Sequence, residues 1–229
     1  MLNSTHDSHA LPMQPSVQTS QSGMSLADLR YAWYADLYRY EGAVSARLFF
    51  KHLLLSPGFT FSFYLRLCQF FYNKSPRLLM VPIFWIFRVM LRRYTYKFGI
   101  NIPFDTQIGV GLYIGHPGNI HFNARAIVGA NCNISQGVTL GQANRGKNKG
   151  YPVIGDGVYI GPGAKIVGAV RVGNNVAIGA NCVVTKDVPD NAVIVGVPGR
   201  VISFEGAHDY VDYTDYQPLQ AGNEHRAAD

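Results

Sequence analysis

Two histidines lie in the glycine-rich part of the chain, at His116 and His121. An imidazole titrates near neutral pH, so either side chain could take a proton from a reacting hydroxyl group. A catalytic zinc site of the three-histidine kind needs one more ligand than residues 100–204 supply. The histidines therefore favour acid–base chemistry, and we expect no metal.

Three cysteines offer little further chemistry. Cys68, Cys132 and Cys182 cannot form a disulfide framework, and no CxxC pair is present to hold a metal ion. Cys132 and Cys182 fall where small or aliphatic residues recur, so we expect them to fill a core. A reducing compartment is the simplest interpretation of these thiols.

Aliphatic residues of the central segment recur every six positions, a spacing that fits neither an α-helix nor an alternating strand. Glycine follows many of them, and Gly, Asn or Asp recurs three positions on, where a corner tolerates positive φ. The pattern predicts a mainly β chain with a parallel β-helix of hexapeptide repeats, each coil taking about 18 residues. The repeat leaders are Ile102, Ile108, Ile114, Ile120, Val128, Ile134, Leu140, Ile154, Ile160, Ile166, Val172, Ile178 and Val184.

One long interruption breaks the repeat between Leu140 and Ile154. The surplus residues, 142–150, include Arg145, Lys147 and Lys149. An insertion that leaves the repeat intact on both sides usually lines a site. The basic content favours anion binding, although a neutral surface loop would show the same interruption.

Composition divides the chain into four segments. Residues 1–24 are predicted to be a disordered leader, 25–99 a helical N-terminal subdomain, 100–204 the β-helix and 205–229 an acidic tail. Residues 25–100 hold 11 basic and three acidic residues, which favours an anionic partner. These basic, aromatic helices favour a packed subdomain, and contact with a membrane interface is the second interpretation.

The repeat region resembles the hexapeptide-repeat acyltransferases, and its motifs are most similar to those of the serine acetyltransferase branch. The resemblance implies a left-handed β-helix, a homotrimer and acetyl-CoA held between neighbouring prisms, and leaves trimer and hexamer open. It covers residues 100–204 and rests on LYIGH at 112–116, SQGVTLG at 135–141, IGDGVYIG at 154–161, VTKDVP at 184–189 and GVPGRVI at 196–202.

The resemblance implies catalytic roles for two residues. His116 matches the general base of the family, whereas His121 matches no family position. Asn101 stands where serine acetyltransferases carry an aspartate, and its amide could orient an imidazole but could not neutralise an imidazolium. Asp105 is the alternative orienting residue. The oxyanion donor would be a backbone N–H of Gly141 or Gln142.

Several positions match those where relatives bind CoA. Small residues would let the pantetheine lie along the coil wall, and two cations could meet its phosphates. These cofactor-binding candidates are Gly141, Gly161, Pro162, Ala180, Thr185, Lys186 and Arg200.

Two departures bear on the acceptor. The family has Asp before the catalytic histidine and Arg-His before the proline after the loop, where this chain has Gly115 and Gly150-Tyr151. A zwitterion needs both its charges paired. We therefore expect an O-acetyltransferase that acts on a sugar hydroxyl of a bacterial exopolysaccharide, capsule or its precursor, with serine O-acetylation in cysteine biosynthesis as the alternative.

Other classes fit less well. A γ-type carbonic anhydrase lacks its third histidine, a purely structural β-helix needs neither His116 nor the basic insertion, and no nucleic-acid recognition motif is present. We expect a carbohydrate partner, no nucleic acid, and a cytoplasmic location. Peripheral contact with an anionic inner membrane face stays open.

Overall fold

The computed structural model describes residues 24–72 and 77–216, so the leader at 1–23 and the end of the acidic segment at 217–229 lie outside the described residues. The described chain begins with helices and continues as short strands. The helices are α1 (Leu26–Glu41), α2 (Ala46–Leu55), α3 (Pro57–Tyr72) and α4 (Arg77–Phe98).

Local sequence sets the limits of α1. The Ser25 hydroxyl accepts from the Asp28 N–H at 3.0 Å, and the Asp28 carboxylate accepts from the Ser25 N–H at 2.8 Å. This reciprocal pair satisfies two N–H groups that would otherwise lack partners. The helix ends at Gly42, whose φ of 64° is left-handed and suits glycine.

In the part of the chain that the structure describes, fifteen strands follow, and nearly all of them pair in parallel into three narrow sheets, which we call faces 1, 2 and 3. Face 1 has the order β1-β4-β7-β10-β13, face 2 the order β11-β8-β5-β2, and face 3 the order β15-β14-β12-β9-β6-β3. The prediction of a left-handed β-helix after a helical segment is confirmed. The strands are β1 (Ile100–Asn101), β2 (Gln107–Ile108), β3 (Tyr113–Ile114), β4 (Ile120–Phe122), β5 (Ile127–Val128), β6 (Asn133–Ile134), β7 (Thr139–Gly141), β8 (Val153–Ile154), β9 (Tyr159–Ile160), β10 (Lys165–Val167), β11 (Arg171–Val172), β12 (Ala177–Ile178), β13 (Val183–Val184), β14 (Val193–Val195) and β15 (Arg200–Ser203).

The first coil is longer than the sequence predicted. Ile100 pairs with Ile120, which is 20 positions along the chain, and Phe122, not Ile120, pairs with the leader Leu140. Ile102 is buried but lies in the corner between faces 1 and 2. The two extra residues fall between Ile114 and Phe122, in the corner that carries His116, whereas the long insertion falls at the next corner, between Leu140 and Ile154.

The helices share a core with the first coils. Phe61, Leu65 and Leu91 belong to the same buried cluster as the repeat leaders. A buried ion pair reinforces this contact, because Arg66 binds both carboxylate oxygens of Asp36 at 3.2 Å. The division into separate domains at residue 99 stays a prediction.

Part of the acidic segment packs against the rest of the chain. Tyr216 is 4% exposed, and its hydroxyl donates to Asn131 Oδ1 at 2.8 Å. The Tyr210 ring stacks on Tyr159 with centroids 4.5 Å apart, and Tyr38 donates to Asp215. Residues 207–216 therefore connect α1 to face 3.

The three thiols are buried and free, and Cys132 and Cys182 lie in the core as expected. Burial raises the pKa of Cys68 and of Cys132 to about 12, which keeps both sulfurs protonated at neutral pH. Within residues 24–72 and 77–216, the helices are too short or too polar to cross a bilayer.

Candidate active site

His116 lies in the turn that carries the chain from face 3 to face 1, between β3 and β4. Its side chain is exposed, as a general base that meets a substrate must be. Within the described residues, the structure gives the His116 ring no hydrogen bond. The ring is therefore accessible, and its role as the base stays a prediction.

Asn101 lies against His121, the histidine that matched no family position. The two residues are register partners on β1 and β4, and Asn101 Nδ2 is 3.5 Å from His121 Nδ1. The amide nitrogen faces Nδ1, and the tautomer that would accept a hydrogen bond from it carries its proton on Nε2. His121 then presents a hydrogen-bond donor, whereas a general base needs a free lone pair. This geometry favours His116 as the base.

A column of polar side chains continues from this pair along face 1. The strand register places Asn101, His121, Thr139 and Lys165 side by side on successive coils. Lys165 Nζ donates to Thr139 Oγ1 at 3.1 Å and to the carbonyl of Gly137. Since an ammonium has three N–H donors, one remains for a ligand. We call these four residues the face-1 column.

Thr139 and Lys165 were not among the site residues predicted from the sequence. Each precedes a buried leader by one position, and alternation along a strand turns such residues outward. That alternation, combined with the coil length, was the signal that could have found them. Asp105 is exposed at the following corner, and in the described residues it makes no hydrogen bond to either histidine.

The long insertion forms a loop at the corner between faces 1 and 2, which we call the excursion loop (142–150). Two backbone hydrogen bonds between Ala143 and Gly150 close its base, at 3.0 and 3.1 Å. Asn148 anchors the end of the loop. The Asn148 side chain donates to the Thr185 carbonyl at 2.6 Å, and the Asn148 carbonyl accepts from the Ala169 N–H. The loop therefore lies over later coils, beside Thr185.

Glycine at one position is required for this packing. A Cβ atom on Gly168 would lie 2.6 Å from the Asn148 carbonyl oxygen, and the φ of 98° disfavours any other residue.

Arg125 stands at the same corner, where its guanidinium donates to the Tyr151 hydroxyl at 3.0 Å and lies 5.3 Å from the centre of the Tyr151 ring.

The predicted cofactor residues divide between the two corners that border face 1. Gly161, Pro162 and Ala180 follow β9 and β12 at the corner that also carries His116. The other corner holds the excursion loop and the exposed Thr185 and Lys186. Arg200 is exposed at the start of β15 on face 3. One protomer therefore spreads these residues over both borders of the face.

Gly161 and Gly141 differ in whether packing within the protomer requires a glycine. A Cβ on Gly161 would lie 2.7 Å from the Ile178 carbonyl oxygen, so packing inside the chain already demands glycine. A Cβ on Gly141 would meet Val167 at 3.4 Å, which is ordinary contact. Gly141 ends β7, and Gln142 is the first residue beyond the strand. Packing within the protomer therefore does not explain why residue 141 is a glycine.

Comparison with known proteins agrees with this architecture. The family model "Bacterial transferase hexapeptide (six repeats)" matches residues 151–186. A serine acetyltransferase of Synechococcus elongatus is 34% identical over 180 residues, covering 79% of this chain and 70% of the relative. The chain belongs to the hexapeptide-repeat acyltransferases, in the serine acetyltransferase-like branch. The prediction of an O-acetyltransferase with acetyl-CoA as co-substrate is confirmed.

Further relatives are serine acetyltransferases too. The enzyme of Staphylococcus epidermidis is 42% identical over 108 residues, or 47% of this chain and 51% of the relative. The Neisseria gonorrhoeae enzyme in complex with serine superposes with a TM-score of 0.61 at 31% identity, over 80% of this chain and 72% of that one. The Brucella abortus enzyme in complex with coenzyme A gives 0.60 at 31% identity, over 76% and 66%.

These relatives overturn one prediction. The expectation of a sugar hydroxyl on an exopolysaccharide, and with it a carbohydrate partner, is wrong, because the similar proteins are serine acetyltransferases. That expectation rested on Gly115 and on Gly150-Tyr151, which stand where the family has charged partners for a zwitterion. It left out the polar groups of face 1, which no single sequence window contains.

Proposed function

We propose that this protein is a serine O-acetyltransferase, which transfers the acetyl group of acetyl-CoA to the hydroxyl of L-serine. One observation carries the proposal: the face-1 column offers donors and acceptors together beside the corner of His116. His121 Nε2 and Lys165 Nζ can donate to a carboxylate, and Thr139 Oγ1 can accept from an ammonium. The relative solved with serine supports the same substrate.

In the proposed reaction, His116 takes the proton of the serine hydroxyl as its oxygen attacks the acetyl carbonyl carbon. Acetyl-CoA supplies that carbonyl as a thioester. A backbone N–H at the start of the excursion loop, at Gly141 or Gln142, donates to the oxygen that becomes negative. The C–S bond then breaks, and the proton held by His116 passes to the departing sulfur.

We propose that the active form is a homotrimer with its sites between subunits. The split of the candidate residues between two corners supports this, because one corner of a protomer can meet the other corner of its neighbour. Gly161 and Ala180 lie with His116 at one border of face 1, and Thr185 and Lys186 lie at the other. Lys186 and Arg200, both exposed cations, would then bind CoA phosphates.

We further propose that the protein works in the cytoplasm. Its three cysteines are all free thiols, which suits a reducing compartment.

The test is release of CoA thiol when the purified protein meets acetyl-CoA and L-serine. We expect turnover with L-serine and none above hydrolysis with L-alanine, which has the same charges but no hydroxyl. Absence of serine-dependent release would overturn the proposal. A Lys165→Met variant should raise the KM for serine about tenfold, since it removes a charged hydrogen-bond donor. Arg171→Met removes an exposed cation from face 2 and serves as the matched control.

A further inference from the structure

Among the residues that the structure describes, nothing covers a broad apolar surface of helix α4. Trp85, Ile86 and Val89 are 58%, 62% and 61% exposed, and Val81 is 46% exposed. They share one side of the helix, since a residue turns by about 100° in an α-helix and these four fall within about 140°. Large apolar side chains exposed together usually mark an interaction site.

The next two turns of the same side are basic. Arg92, Arg93 and Lys97 are exposed, and Tyr96 is 72% exposed among them. The Arg92 guanidinium lies 5.7 Å from the centre of the Tyr96 ring. No acidic residue occurs in the sequence of α4. The exposed side of the helix is therefore apolar in one half and cationic in the other.

The opposite side of α4 holds the helix on the protein. Leu91 is 1% exposed, and Phe84 with Phe87 packs against the common core. The Phe87 ring stacks on Phe71 of α3 with centroids 5.3 Å apart. The apolar side chains that face outward are thus additional to those that the fold itself uses.

Two partners could cover this surface, a second copy of the helix or an anionic lipid surface, and the charge pattern distinguishes them. If the helix met its copy in parallel, the cationic halves would face one another and repel. In the antiparallel arrangement, each apolar half would desolvate the cations of its partner. An anionic lipid surface satisfies both halves, because Trp, Ile and Val enter the interface while Arg and Lys meet the headgroups.

We propose that α4 binds the surface of an anionic lipid bilayer, with Trp85, Ile86 and Val89 inserted and Arg92 and Arg93 on the headgroups. The helix lies along the interface and does not cross it. This contact is separate from acetyl transfer, because it uses none of the residues assigned to that reaction.

Co-sedimentation of the full chain with phosphatidylcholine vesicles, with and without phosphatidylglycerol, tests the proposal. We expect binding to the anionic vesicles, weaker binding to the neutral ones, and loss of binding as salt increases. A W85S/V89S variant should lose most of its binding. R92Q/R93Q should weaken it at least about tenfold, since each cation near an anionic surface contributes about fivefold.

The control is Leu54→Ser on α2, a side chain that is 79% exposed on another helix. It should bind as the unchanged protein does, and all variants should keep their thermal midpoint and their acetyl-CoA turnover. Equal losses for the α2 and α4 variants, equal binding to both vesicle types, or no binding at all would overturn the proposal. A smaller assembly for W85S/V89S in light scattering would also overturn it, by assigning the surface to subunit contact.

Discussion

Asn101 contacts His121, one coil away on the same face of the prism, with 3.5 Å between Nδ2 and Nδ1. The tautomer of His121 that would accept from this amide presents Nε2–H as a donor. His116 sits at the neighbouring corner without a hydrogen bond in the described residues. The two histidines consequently have different environments, and we expect them to have different kinetic roles.

Replacing His116 with alanine should lower kcat by roughly 10²–10⁴-fold, the usual contribution of a general base. The KM for serine should change little, because the imidazole acts on the reacting proton. Steady-state kinetics with both substrates measures the two constants, and light scattering checks the assembly. Near-normal turnover of the variant would remove His116 from this role.

His121→Ala should affect binding instead. Loss of its Nε2 donor should raise the KM for serine about tenfold and leave kcat within a few-fold. The same steady-state assay separates the two histidines. A fall in kcat as large as that of the His116 variant would contradict the assignment and make His121 the base.

Asn101→Ala should resemble His121→Ala, because the amide acts through the imidazole that it holds. In a double-mutant cycle, the combined variant should lose little more than either single one, since both remove the same interaction. The ratio of kcat/KM values across the four proteins measures the coupling. Full additivity would show that Asn101 and His121 act independently, and Asn101→Ala with the low kcat of His116→Ala would restore the pairing expected from the sequence.

The repeat could be predicted from the sequence, whereas the pairing of Asn101 with His121 could not. Hexads predict which residues are buried, because every sixth side chain must fill the prism, and those leaders are buried in the structure. Coil length is set at the corners, and after the corner of His116 both Ile120 and Phe122 are buried, so the period alone cannot choose between them. A coil of 18 residues would place Asn101 beside Asn119, whereas the observed coil of 20 places it beside His121.

The excursion loop was also visible in the sequence, yet its anchoring was not. The count of surplus residues predicts where the loop leaves the prism. The contact of Asn148 with the Thr185 carbonyl joins residues 37 positions apart, and it depends on Gly168 leaving room. Contacts of this range follow from stacking of coils, which a local pattern of residue types does not encode.

The Asn148 contact gives a prediction for cofactor affinity. Asn148→Ala removes the donor to Thr185, so the loop should lose its fixed position over the neighbouring coils. The KM for acetyl-CoA should rise several-fold, with a smaller effect on the KM for serine. Asn144→Ala is the matched control, because its side chain bonds only to Gln142 within the same loop among the described contacts. Equal effects of the two variants would mean that the anchor to Thr185 is irrelevant.

The Asp36–Arg66 pair should be essential for the stability of the fold. Both side chains are almost fully buried, and together they reach three backbone groups of the first coil: Arg66 donates to the Ile108 and Gly109 carbonyls, and Asp36 accepts from the Leu112 N–H at 2.9 Å. Asp36→Ala would leave a guanidinium buried without its counter-ion. We expect a loss of about 3–5 kcal/mol in the free energy of unfolding, as for other broken buried pairs.

Denaturant unfolding followed by circular dichroism measures this loss. Lys51→Ala breaks the exposed pair with Glu41 and should cost at most about 1 kcal/mol, because water screens both charges. If Asp36→Ala were as mild as Lys51→Ala, the helices and the first coil would not depend on this pair. If only the helical signal were lost while the β signal persisted, the helical segment would unfold independently, contrary to the shared core that the structure shows.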